Sequence, residues 1–188
     1  RKAVRTQERN ALLFDARTNR DDILWSLEGP TGAVVTSRRF DRSDSADFAA
    51  SPVLPLAAGT YTLTVDGSGD AAGEYAFALL DLSGATDFAL DTDVSGRLDP
   101  GSETDVYRFT ASARDRLEFA MVSESRNSAH WRLVHPFGGT VFGPSDFADA
   151  GVYTMPFDGD YYLLIEGRRS EGTALDYRFR VNDATRDN

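Results

Sequence analysis

Apolar and polar side chains alternate along residues 60–65, where Tyr61, Leu63 and Val65 are interleaved with Thr60, Thr62 and Thr64. The same alternation runs through Tyr75, Phe77 and Leu79 against Glu74, Ala76 and Ala78. A period of two places one set on a single face of a pleated strand. The stretch between them, Asp66 to Gly73, is rich in Gly, Asp and Ser, so the two runs are predicted to form a hairpin. No segment carries a sustained 3.6-residue period with caps, and helix is predicted to be minor.

The second half of the chain repeats the first. Trp25-Ser-Leu27 with Pro30 and Gly32 returns as Trp131-Arg-Leu133 with Pro136 and Gly138. Gly59-Thr-Tyr61-Thr-Leu63-Thr-Val65 returns as Gly159-Asp-Tyr161-Tyr-Leu163-Leu-Ile165, and Tyr75-Ala-Phe77 returns as Tyr177-Arg-Phe179. Upstream, Arg9, Leu12 and Phe14 match Arg114, Leu117 and Phe119. The offset drifts by only a few residues, as loops of varying length between fixed strands would produce.

These features predict an all-β chain of two tandem antiparallel β-sandwich, jelly-roll-like domains at residues 1–90 and 91–188, with the boundary near Phe88 to Asp93 and one face of each sheet buried. The second copy opens with Val94 to Leu98 and Asp105 to Phe109, whereas the first begins near Val4, the counterpart of Phe109. The first sandwich is therefore expected to lack an opening strand, leaving an exposed edge or one that something else covers. With Arg1-Lys2 at its start, no initiator Met and no signal-peptide core, the chain reads as a piece of a longer protein.

Composition narrows the function. A net charge of -10, shared equally by the two halves, leaves no basic face to displace counterions from phosphates, which argues against nucleic acid. The absence of cysteine excludes disulfides and thiolate metal sites. No apolar run approaches the ~20 residues that cross a bilayer, so membrane insertion is not expected. No nucleophile elbow, zinc-protease, P-loop or dinucleotide-binding motif occurs, and the chain is expected not to be an enzyme.

The order Gly96-x-Leu98, Asp105-x-Tyr107-x-Phe109, Leu117-x-Phe119, Trp131-x-Leu133-x-x-Pro136-x-Gly138, Gly159-x-Tyr161-x-Leu163-x-Ile165 and Tyr177-x-Phe179 resembles bacterial pre-peptidase C-terminal (PPC) domains, as repeated along giant calcium-dependent adhesins and other exoproteins. The resemblance implies jelly-roll-like sandwiches in a secreted or cell-surface protein. It also implies calcium at acidic residues near the first strands, here Asp93, Asp99, Glu103 and Asp105, with no other cofactor.

Trp25 and Trp131 recur at one module position with a Leu two residues on, and are assigned to the cores in preference to a sugar-stacking role. His130 and His135 do not repeat and are expected at the surface or in turns. The acidic groups Asp41, Asp44 and Asp47, Asp146 and Asp149, and Asp66 with Asp70 lack the spacing of a known calcium loop. Tyr162 and Leu164 stand on the outward face where the first copy has Thr62 and Thr64, and are expected to pack against the other module so that the pair forms one stiff unit. The expected role is non-catalytic: spacing neighbouring domains of the same chain, with calcium stiffening a loop or the junction. The alternative is binding of an extracellular glycan or peptide in a groove of the end loops.

Overall fold

The computed structural model describes residues 2–6 and 10–185; Arg9 lies outside them. The chain is all-β, with three short 3-10 turns and no α-helix among the described residues. The first half contributes β1 (Lys2–Thr6), β2 (Asn10–Ala16), β3 (Ile23–Gly29), β4 (Gly32–Arg39), β5 (Val53–Leu56), β6 (Gly59–Gly67) and β7 (Phe77–Asp81). They form two sheets, ordered β1-β6-β3-β4 and β5-β2-β7.

The second half contributes β8 (Thr86–Asp87), β9 (Asp93–Leu98), β10 (Thr104–Ala111), β11 (Arg116–Glu124), β12 (His130–Val134), β13 (Thr140–Asp146), β14 (Gly151–Thr154), β15 (Gly159–Glu166) and β16 (Leu175–Asp183). Their sheets are ordered β13-β12-β15-β10-β8 and β14-β11-β16-β9. Apart from the parallel β8–β10 contact, every pairing is antiparallel.

The two halves are thus copies of one sandwich, with β1-β6-β3-β4 answering β10-β15-β12-β13 and β5-β2-β7 answering β14-β11-β16. The first copy has no counterpart of β9 among the described residues. The predicted hairpin between β6 and β7 does not form: β6 pairs with β1 and β3, β7 pairs with β2, and the intervening loop crosses between sheets. Alternation fixes which face of a strand is apolar and leaves its neighbour open, so a turn-rich loop reads alike in a hairpin and a crossover.

Each sandwich has its own core. In the first, Phe14 stacks on Trp25 at 3.9 Å between ring centroids, flanked by Leu12, Leu27, Tyr61 and Leu63. In the second, Phe119, Trp131, Leu117, Leu133, Tyr161 and Leu163 occupy the matching positions. Both tryptophans are buried. Phe88 and Leu90, which the repeat places before the boundary, pack against the second core, and β8 pairs with β10.

A third apolar cluster lies between the sandwiches, where Leu13 of β2, Val53 of β5 and Leu82 meet Val134 of β12 and Leu164 of β15. Successive residues explain it: Leu12 and Phe14 point into the first core while Leu13 points the other way, and Leu163 and Ile165 point into the second core while Leu164 points back. The molecule is a stack of four sheets, and its two inner sheets are covered on both faces. The expectation of one buried face per sheet therefore holds only for the outer two.

Leu164 is fully buried. Leu164→Ala is expected to cost about 2–5 kcal/mol in denaturant unfolding, as for a buried leucine whose cavity does not collapse. Thr62, the counterpart of Tyr162, faces solvent, and Thr62→Ala is expected to stay within about 0.5 kcal/mol.

Candidate functional site at the junction of the sandwiches

Beside the third cluster lies a buried polar clasp. Arg132 of β12 stands on the same strand face as Val134, and Glu166 of β15 on the same face as Leu164. Both side chains are 0% exposed, and Arg132 Nε donates to Glu166 Oε2 at 2.7 Å. The remaining guanidinium donors reach the first sandwich: Nη1 donates to the carbonyls of Phe48 (3.0 Å) and Ala50 (2.7 Å), and Nη2 to that of Ser45 (2.8 Å). Glu166 Oε1 accepts the Ser45 backbone N–H at 3.0 Å, and the Ser45 hydroxyl donates to the Gly167 carbonyl at 2.9 Å.

The receiving segment, Phe40 to Ala50, is the loop after β4, built from two 3-10 turns, Phe40–Arg42 and Ser45–Asp47. A second arginine holds it from outside, with Arg169 Nη1 donating to the Asp44 carbonyl (3.1 Å) and Nη2 to Asp47 Oδ2 (2.6 Å). A lone buried charge is costly to desolvate. Here each is paired, and the planar guanidinium satisfies backbone carbonyls that the loop leaves without strand partners.

Two buried carboxylates sit beside the clasp. Asp15 of β2 accepts from Arg17 Nε at 3.0 Å, and Asp44 Oδ2 accepts the Ala16 N–H at 2.7 Å; the Oδ1 atom of each has no hydrogen-bond partner among the described residues. Burial pushes Asp15 up to about 6, opposed by Arg17 and by Thr104 of β10. Burial, with the charges of Asp15 and Glu166 adding to it, pushes Asp44 well above the usual carboxylate range.

The four carboxylates carried over as calcium ligands are not brought to one point. Asp105 accepts the Tyr177 hydroxyl, Asp93 faces Arg178 and Arg180, Asp99 lies 3.5 Å from Arg97, and Glu103 accepts the Asp99 N–H. Among the described residues no group of three or more acidic or histidine side chains is arranged to hold a metal ion, so these four do not fit a calcium cradle. Of the other acidic sets, Asp41 pairs with Arg39, Asp44 and Asp47 share Arg169, and Asp149 accepts the Met121 N–H. Asp93 on β9 and Asp105 on β10 belong to different sheets, and although Glu103 feels the charges of Asp105 and Asp99, each of these carboxylates is engaged by its own hydroxyl, guanidinium or backbone N–H.

Leu164 and Tyr162 both lie in the inter-sandwich cluster, Leu164 buried and Tyr162 partly so. His130, expected at the surface, is 5% exposed, because it shares the covered face of β12 with Arg132; burial lowers its pKa, and Nε2 lies 3.2 Å from Asp146. His135 lies in the turn after β12, where Nδ1 accepts the Phe137 N–H at 3.1 Å. Its ring and those of Phe137 and Phe157 form an edge-to-face trio with neighbouring centroids 5.0–6.2 Å apart, and Phe137 is 71% exposed. The adjoining groove, of about 150 Å³, runs between the sandwiches past Val53, Pro55 and Tyr162.

Sequence reading missed Arg132, Glu166, Arg169, Asp15 and Leu13. The signal was present: Arg132 and Glu166 share strand parity with Tyr162 and Leu164, so the face marked as covered by its apolar residues also had to bury their charged neighbours.

No family model matches the chain, and no curated protein matches it. Similar solved structures include the pre-peptidase C-terminal domain of a collagenase from Bacillus anthracis, at 21% identity and a TM-score of 0.41 over 52% of this chain and 94% of that one. They also include PliG, a periplasmic lysozyme inhibitor of g-type lysozyme, from Salmonella Typhimurium (20% identity, TM-score 0.39, 52% of this chain and 98% of that one). PliG of Aeromonas hydrophila is similar at 16% identity and a TM-score of 0.40, over 52% of this chain and 94% of that one.

Removing one partner of the clasp strands a buried charge, so Glu166→Ala is expected to cost about 3–5 kcal/mol in equilibrium unfolding. The raised Asp15 pKa means that the folded state holds a proton the unfolded chain has lost. Its stabilising contribution is complete below about pH 4 and is lost as pH rises through about 6. Unfolding curves of Asp15→Asn, which mimics the protonated acid, are therefore expected to lack this decline. The stability of the native chain relative to the variant should fall by on the order of 2–3 kcal/mol across that window and stay level above it.

Proposed function

We propose that the chain is a non-catalytic tandem unit of a secreted or cell-surface bacterial protein, in which two PPC-like sandwiches act as one rigid body that spaces or presents neighbouring domains. The Arg132–Glu166 pair carries this reading, because a guanidinium with no exposure and three bonds to carbonyls of the other sandwich is satisfied only while the two stay docked. Transient domain contacts leave charged side chains free to return to water on separation, whereas parting these two sandwiches would bare apolar surface and leave the clasp unpaired. The exported setting is supported by the motif resemblance to PPC domains, which are appended to secreted proteins.

Binding of a glycan or peptide in the groove between the sandwiches is a second reading, favoured by the trio of His135 and the exposed Phe137 and Phe157 beside it. Such aromatic edges and faces stack on sugar rings or apolar peptide side chains.

Rigidity is measurable because the chain has no cysteine of its own. Spin labels at Val34→Cys and Val152→Cys, exposed positions on the two outermost sheets, are expected to give one narrow distance distribution that broadens in Glu166→Ala. A broad distribution in the unaltered clasp would contradict the rigid-body reading. For the second reading, a glycan or peptide array should return a ligand whose affinity falls at least about tenfold in Phe137→Ala, as for an aromatic hot spot.

A further inference from the structure

The two sandwiches differ at one edge. In the second, β16 lies between β11 and β9, with Phe179 opposite Val94, Tyr177 opposite Gly96 and Leu175 opposite Leu98. In the first, β7 pairs with β2 on one side, and no strand of the described residues pairs with the other. The residues that would face a ninth-strand counterpart are nonetheless kept. Tyr75 and Phe77 hold the geometry of Tyr177 and Phe179, with centroids 6.3 Å apart at 16° against 6.4 Å at 14°.

Their cover is what differs. Tyr177 is 2% exposed, and Tyr75 is 48% exposed. Beside Tyr75, Phe77 and Leu79 opens a groove of about 560 Å³, floored by Leu63 and Val65 and bordered by Lys2. An edge strand with free backbone groups and an apolar trough along it is a template for strand addition.

The filled copy shows what fits. Leu98 is fully buried, and Val94 packs partly into the second core. Gly96 lets the strand lie flat on the tyrosine, because a Cβ there would overlap the Tyr177 ring and crowd the Tyr107 hydroxyl. Arg97 pairs with Asp176 at 3.0 Å, and the residue before Tyr75, in the place of Asp176, is the exposed Glu74. Glycine cover, two aliphatic anchors and charge complementarity at Glu74 together define the occupant.

We propose that the open edge of β7 binds an extended strand of a partner polypeptide, antiparallel to β7, with the pattern aliphatic-x-Gly-basic-aliphatic. The backbone supplies the ladder, the glycine covers Tyr75, the aliphatic residues enter the trough, and the basic residue meets Glu74.

The test uses the 188-residue protein and a synthetic peptide with the sequence of residues 92–99, Thr-Asp-Val-Ser-Gly-Arg-Leu-Asp. Saturable binding is expected by fluorescence anisotropy, with amide shifts in nuclear magnetic resonance confined to β7, Tyr75 and the trough. A peptide carrying Gly96→Val is expected to bind at least about tenfold more weakly, since its side chain meets the tyrosine ring. Glu74→Arg should weaken the native peptide several-fold, and a peptide carrying Arg97→Glu should recover that loss. Absence of binding, binding indifferent to the glycine, shifts that fall on β16, or self-association of the chain through β7 would each overturn the proposal.

Discussion

The structure depends on the burial of two sheet faces against each other. In an isolated sandwich the outer face of each sheet is free to be polar, and the outermost faces here follow that rule, with Thr62 exposed on one and Val152 the kind of scattered apolar residue any surface carries. The inner faces do not. Leu13, Val53, Val134 and Leu164 form a core between the sandwiches, and the charged residues on those faces have no water to return to. Arg132 and Glu166 are paired with each other and with the Ser45 to Ala50 backbone because, once the apolar contact forms, no other arrangement leaves them satisfied.

Duplication explains why the two halves look alike and where they part. The inward positions, Trp25 and Trp131, Phe14 and Phe119, Tyr61 and Tyr161, are the same in both copies because each must fill the same space. Tyr61 and Tyr161 even repeat the hydroxyl bond to the carbonyl four residues back, at Ala57 and Phe157. The outward positions differ according to what lies beyond them. Where the first copy has Thr64 and Ser26, the second has Leu164 and Arg132, whose neighbours are protein. An edge strand is present in one copy and open in the other, while Tyr75 and Phe77 keep the shape that suits a partner.

Much of this was legible in the chain. Alternation and the repeat identify strands, their inward faces and the two cores, since those depend on local parity. The outward apolar pair Tyr162 and Leu164 marked a covered face. Strand partners were less legible: the loop from Asp66 to Gly73 has the composition of a hairpin turn and in fact crosses between sheets. The carboxylates near β9 and β10 could not be placed from spacing alone, because β9 and β10 belong to different sheets and Glu103 lies in the loop before β10, so Asp93, Glu103 and Asp105 meet different partners. The clasp escaped because a buried charge reads in sequence like a solvated one until its partners are known. Only the company of Leu164 on the next position of the same face distinguished Glu166.

Docked through an apolar core and a buried ion pair, the two sandwiches are expected to unfold as one cooperative body. Differential scanning calorimetry of the intact chain tests it most directly: a single transition whose calorimetric and van't Hoff enthalpies agree is predicted, since neither sandwich can unfold without baring the other's inner face. Two resolved transitions, each with the enthalpy of one sandwich, would contradict it.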